Sequence, residues 1–154
     1  MKPPKLALAS PLAAIGVLFA STFAVSAAPL PLFENGRTDW VAVLPEGSDC
    51  ILTRAANEFA DTVERVSGAR IPIVGERPVE GSAILFTTFA DGSDDEHLLA
   101  RLVDDTTFEI SGNSSRATLH TALRFLKEQL GVRWLWYGED GAFYPTLKEA
   151  CEAR

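Results

Sequence analysis

The chain has 154 residues, 14 basic against 21 acidic, a net charge of −7 and a hydrophobic share of 47%. That acidic surplus repels phosphate backbones and no run of basic residues offsets it, which argues against nucleic-acid binding. Cys50 and Cys151 are the only cysteines, and without a second pair of ligands they make no metal site.

Lys2 and Lys5 precede a mostly apolar stretch, and Val25-Ser26-Ala27 offers small residues where a signal peptidase reads. Residues 1–27 therefore read as an export signal, which predicts a periplasmic or extracellular protein. The alternative is an uncleaved anchor, since about 19 apolar-leaning residues nearly span a bilayer, although Pro11 and Gly16 interrupt it. No cysteine lies near the cleavage site, so a lipid anchor is not expected. Cleavage after Ala27 would leave 127 residues with a net charge of −9, enough chain for one domain with a real core. No later stretch is apolar enough to span a membrane once the signal is removed.

Residues 28–38 contain Pro29, Pro31, Asn35 and Gly36 and read as a linker or lead-in loop. The expected domain is 39–145, followed by a tail at 146–154. A first strand is predicted at 40–44. Asp49 caps a helix whose stripe is Leu52, Ala55, Ala56, Phe59, Val63 and Val66, with Glu58, Asp61, Glu64 and Arg65 outside and Gly68 at its end. A second strand is expected at 70–74, where Pro72 lacks the N–H of a central strand and so marks an edge. The apolar run 83–87 predicts a central strand.

Residues 91–96 form an acidic loop without calcium-loop spacing. Strands at 98–103 and 106–111 flank Asp104-Asp105, a turn signal that predicts a hairpin. A second helix starts at Ser114 or Ser115 and buries Leu119, Ala122, Leu123, Leu126 and Leu130, with Gly131 to end it. Residues 132–137 read as an aromatic strand and 138–141 as a turn. The tail from Pro145 suits a short helix around Leu147 and Cys151. The order βαββββαβ, with adjacent hairpin strands and only two helices, predicts an α+β two-layer sandwich. Its sheet is mostly antiparallel or mixed, and both helices lie on one face.

Several segments carry a family resemblance. Ala55-Ala56-Asn57-Glu58-Phe59 and the run from Val66-Ser67-Gly68 to Ile73-Val74 belong to it, as do Ile110-Ser111-Gly112-Asn113, Arg116-Ala117-Thr118-Leu119, Phe125-Leu126 and Leu130-Gly131-Val132-Arg133-Trp134-Leu135. In order and spacing the chain resembles the alpha-glucuronidase N-terminal domain, which is similar to the non-catalytic second domain of bacterial beta-hexosaminidases. The likeness spans about residues 38–145. It departs from the pattern at Ala117, where glycine is usual, at His120, where an aromatic is usual, and at Tyr137 or Gly138, often proline. These departures are expected on helix or loop surfaces. In that family the domain precedes a catalytic barrel, and a barrel of about 250 residues does not fit in this chain. The resemblance therefore implies a non-catalytic accessory domain associated with glycoside hydrolysis, with no cofactor.

The chemistry-bearing residues fit that reading. Glycoside hydrolysis needs two carboxyl groups about 5 to 10 Å apart across a sugar, and neighbouring turn residues such as Asp104 and Asp105 point apart. His97 and His120 lack the spacing of a triad or metal motif. Ser111 to Arg116 reads as a turn and cap without phosphate-loop spacing, and Asn113-Ser114-Ser115 also matches a glycosylation acceptor. Arg133, Trp134, Trp136 and Tyr137 form an aromatic segment suited to stacking on a polysaccharide or docking on a glycoside hydrolase catalytic domain. Alternatively one tryptophan packs under the helices. An independent secreted carbohydrate-binding or cell-envelope interaction module is the other function these residues allow. Cys50 and Cys151 are a possible disulfide, worth roughly 4 to 5 kcal/mol for a loop of about 100 residues. The alternative is a buried thiol at 50 and a loose one at 151.

Overall fold

A computed structural model describes residues 32–135 and 141–146. The elements are β1 (Trp40–Val43), α1 (Cys50–Ser67), β2 (Ile73–Val74), β3 (Ser82–Thr88), β4 (Leu98–Asp104), β5 (Thr107–Gly112), α2 (Ser115–Gln129), β6 (Arg133–Trp134) and β7 (Ala142–Phe143). The first five strands form one mixed sheet in the order β2-β1-β3-β5-β4. Of the two sheet types predicted, the mixed one is found: the pairings of β1 with β2, β1 with β3 and β3 with β5 are parallel, and only β4 with β5 is antiparallel. β2 lies at an edge as Pro72 requires, and Pro72 accepts a hydrogen bond from the Ala42 N–H at 2.9 Å.

Register assigns the faces. Ala42, Ile84, Phe108 and Leu102 form one row across the sheet, and Val43, Leu85, Glu109 and Arg101 form the adjacent row on the other side. The first row runs into the helix-covered core, with Ala42 and Ile84 fully buried and Phe108 packed against it, and ends on Leu102, which is 39% exposed. On the opposite side the Arg101 Nε donates to Glu109 at 2.7 Å and the Ser111 hydroxyl donates to its other oxygen at 3.0 Å.

Both helices pack on this one face, joined through a chain of rings. Phe59 of α1 meets Phe86 of β3 edge-on at 5.6 Å between centroids and Phe125 of α2 at 5.8 Å; Phe125 in turn lies 5.0 Å from Phe108 of β5. The helices also touch at their first turns, where the Ser115 hydroxyl donates to Asp49 at 2.6 Å. Contact at both starts and again about ten residues along each helix (about three turns) means that they run parallel. α1 ends at Gly68 with a φ of 75°, and α2 ends at Leu130, with Gly131 at a φ of 72° just after it.

Thr118 and Thr121, outside the predicted apolar stripe, are buried. Their hydroxyls donate to Thr87 O and Ser111 O, each at 2.8 Å, so they fasten α2 to two strand ends. Ala117 corrects the expectation that it lies on a surface, because it is fully buried. It packs on Gly112, where an added Cβ would stand 2.5 Å from the Ala117 Cβ and 2.6 Å from its carbonyl carbon. Leu32 and Phe33, in the predicted lead-in, also pack against the core.

Candidate functional site

The last two strands stand apart from the main sheet as a ribbon, with Arg133 opposite Phe143 and Trp134 opposite Ala142. The predicted strand 132–137 is thus paired only at its start, and Leu135 extends the ladder through its N–H to Gly141 O at 2.7 Å. A two-stranded ribbon holds itself together poorly. Val132 and Pro145, both buried, anchor the two arms.

Alternation puts Arg133, Leu135 and Phe143 on one side of the ribbon and Trp134 on the other. Trp134 is 39% exposed, Phe143 53% and Leu135 65%, an apolar group presented to solvent beyond the end of α2. The Arg133 guanidinium turns back and donates to Lys127 O at 3.0 Å and Val132 O at 3.1 Å. It thereby caps the carbonyl-rich end of α2, so Arg133 positions the ribbon. Trp136 and Tyr137 lie outside the described residues, as do Cys151 and the predicted tail helix. Cys50 is exposed. Neither Leu135 nor Phe143 is among the expected site residues: Leu135 reads only as part of the strand 132–137, on the face of Arg133, and no strand is predicted at Phe143.

The polar residues gather at the opposite end of α2. Asn113 organises the 91–97 loop: its Nδ2 donates to Asp95 O at 2.6 Å and to Asp91 Oδ1 at 3.3 Å, while its Oδ1 accepts from the His97 N–H at 3.1 Å. The amide nitrogen fills the centre of the loop's oxygens. Glu96 bridges the His120 Nδ1 at 2.9 Å and the Arg116 guanidinium. His97 pairs with Asp91. Both histidines are exposed at the margin of α2 and the loop.

Four carboxyls are held below their usual range, each by local bonding. Asp49 is stabilised as the anion by the Ser115 hydroxyl and the N–H groups of Leu52 and Ile51. For Asp91 the Ser93 N–H leads, followed by Asn113 and His97. His120 and then Arg116 lower Glu96, and the N–H and hydroxyl of Thr106 lower Asp104. A proton donor in glycoside hydrolysis needs the opposite shift. These groups act as caps and staples. Asp104, for its part, turns inward to its own hairpin, accepting from the Thr106 N–H and hydroxyl at 2.8 Å each.

A cleft of about 800 Å³ lies between the 32–39 segment and the starts of β1 and β3, lined by Glu34, Arg37 and Asp39 among others. Among the described residues no cluster of three or more His, Cys, Asp or Glu side chains converges to hold a metal ion. No helix among them is long and apolar enough to cross a membrane. No protein-family model matches the chain, and comparison with curated proteins gives no significant match.

Proposed function

We propose that the chain is an exported, non-catalytic accessory module of a glycoside-hydrolase-like protein, and that it docks on a catalytic domain through the ribbon. The observation that carries this reading is the exposed group Trp134, Leu135 and Phe143 on a ribbon fixed to the core from both sides. Protein interfaces favour such a rigid apolar and aromatic projection. The resemblance to the alpha-glucuronidase N-terminal domain supports the same assignment through element order and the placement of both helices on one face. Carboxyls held as anions by their own caps add to it, because they are poorly suited to protonate a leaving group.

The test is turnover of aryl glucuronides and aryl N-acetylhexosaminides by the purified chain, run beside a titration of its tryptophan fluorescence with soluble xylan and chitin oligosaccharides. The module reading expects no turnover and a flat titration. Turnover abolished by changing one of the chain's own acids would overturn it. A saturable sugar response lost in Trp134→Ala would favour the independent carbohydrate-binding module instead, for which the half-exposed Trp134 is the motivating feature.

A further inference from the structure

We infer that β4 is a docking edge for a second copy of this chain, the two β4 strands pairing antiparallel about Ala100 so that the sheets join into one of ten strands, five from each copy. Among the described residues β2 closes the sheet at one edge and β4 at the other. The β2 edge is blunted, with two residues that follow Pro72. β4 runs from Leu98 to Asp104 without a proline, and all seven residues are exposed except the half-buried Leu99. A register shift between Leu102 and Asp104 leaves Leu98–Leu102 as its regular part.

The ladder shows which main-chain groups lack a strand neighbour. The Asn113 N–H donates to His97 O at 3.2 Å, so alternation along the pair directs the N–H and C=O of Leu99 and Arg101 to β5. Those of Leu98, Ala100 and Leu102 point outward. Gly112, opposite Leu98, turns its carbonyl away from β4 to the Phe89 N–H at 3.0 Å, as the same alternation requires. Leu98 and Ala100 also edge a groove of about 310 Å³ on the helix side, lined by Phe108, Arg124, Phe125 and Glu128 among others.

The side chains select a copy of the same strand. A two-fold axis normal to the sheet keeps like faces together, and with Ala100 opposite Ala100 it sets Leu98 against Leu102 of the second copy on the helix side. On the other side Leu99 covers the stem of Arg101 of the second copy. Neighbouring registers are poorer. Centring on Arg101 opposes two like charges, centring on Leu99 sets Arg101 against His97, and centring on Leu102 sets Ala100 against Asp104, past the register shift. Arg101 is already neutralised by Glu109 of its own chain at 2.7 Å, so pairing leaves no bare charge at the junction. The same axis runs the two α2 helices antiparallel and brings Arg124 of each copy toward Glu128 of the other. Within one chain these two pair at 2.8 Å, and two copies make an alternating cluster of four charges. The pairing uses no residue of the ribbon.

The test is sedimentation of the purified chain between about 1 μM and 1 mM, with amide exchange read residue by residue across the same range. The expected result is a monomer–dimer equilibrium in which the Leu98, Ala100 and Leu102 amides gain protection as the dimer fills. Ala100→Lys, an exposed substitution that sets two lysines face to face, should weaken the dimer about tenfold or more, with circular dichroism unchanged. Opposed residues of a hydrogen-bonded pair have Cα atoms about 5.5 Å apart, within disulfide range. Ala100→Cys under oxidised glutathione should therefore link two copies through position 100, and Leu102→Cys should not link through position 102. Peptide mapping separates such a bond from one through the exposed Cys50. A chain that stays monomeric throughout would overturn the proposal, as would a dimer that leaves those three amides exchanging freely or that links through position 102.

Discussion

The Asp49 carboxylate lies 2.6 Å from the Ser115 hydroxyl, joining the first turns of two parallel helices. Asp49 also caps α1 through the N–H groups of Ile51 at 2.9 Å and Leu52 at 2.8 Å. Two helices with their N-termini together bring two positive dipole ends close, and one anion between them relieves the repulsion. Ser115→Ala should cost about 1 kcal/mol in urea denaturation. If the link is direct, the Asp49→Asn and Ser115→Ala effects should fail to add in a double-mutant cycle.

The same carboxyl helps set the acid limit of the fold. Asp49, Asp91, Glu96 and Asp104 all have folded values below their ordinary ones of 3.8, or 4.5 for glutamate. A depressed carboxyl contributes stability above its unfolded value and loses it as pH falls through the folded value. Unfolding free energy should therefore hold at mildly acidic pH as far as these four groups are concerned and decline from about pH 4.5 downward. Replacing all four by their amides should flatten that decline in a pH series of urea titrations.

Close packing at Gly112 gives a sharper effect. A methyl there meets backbone atoms of Ala117 and Thr118 at 2.6 and 2.7 Å as well as the Ala117 Cβ. Gly112→Ala should destabilise by about 1 to 3 kcal/mol or more. Adding Ala117→Gly should give little rescue, because the backbone contacts remain. Denaturant midpoints of the single and double variants check this.

Phe59 joins both helices to the sheet through Phe86 and Phe125. It is fully buried, and Phe59→Ala should cost about 3 to 5 kcal/mol, a large part of the total stability of a small domain. Thermal unfolding by circular dichroism should show the loss.

The 91–97 loop depends on one side chain. Asn113→Ala removes the donors to Asp91 and Asp95 and the acceptor for the His97 N–H. Amide exchange should rise across 91–97, including His97, and stay unchanged in α1. An unaltered exchange pattern would mean that the strand ends alone hold the loop.

The helices were legible because their information is local. Asp49 and Ser114 cap, the α1 stripe is buried as its spacing predicts, and Gly68 ends α1 while Gly131 follows the Leu130 cap of α2. Pro72 marked an edge and the 83–87 run a central strand. Strand partners were less legible: alternation tells which side a residue faces and says nothing of its neighbour, so the parallel β1-β3-β5 core was not read. Only the β4–β5 hairpin had its pairing written into a turn. Thr118, Thr121 and Ala117 were missed for a related reason. Their burial follows from strand ends approaching α2, a tertiary relationship that helix periodicity cannot encode. The site was legible in part: Trp134 was named, whereas Leu135 and Phe143 emerged only from the pairing of two short strands.

The docking claim is tested most directly by calorimetric titration of the purified chain into the catalytic barrel of an alpha-glucuronidase or beta-hexosaminidase separated from its own accessory domain. The account predicts saturable binding that weakens at least about tenfold, or about 1.4 kcal/mol, when Leu135 and Phe143 are both replaced by aspartate. Binding that ignores those substitutions, or no binding to either barrel, would contradict it.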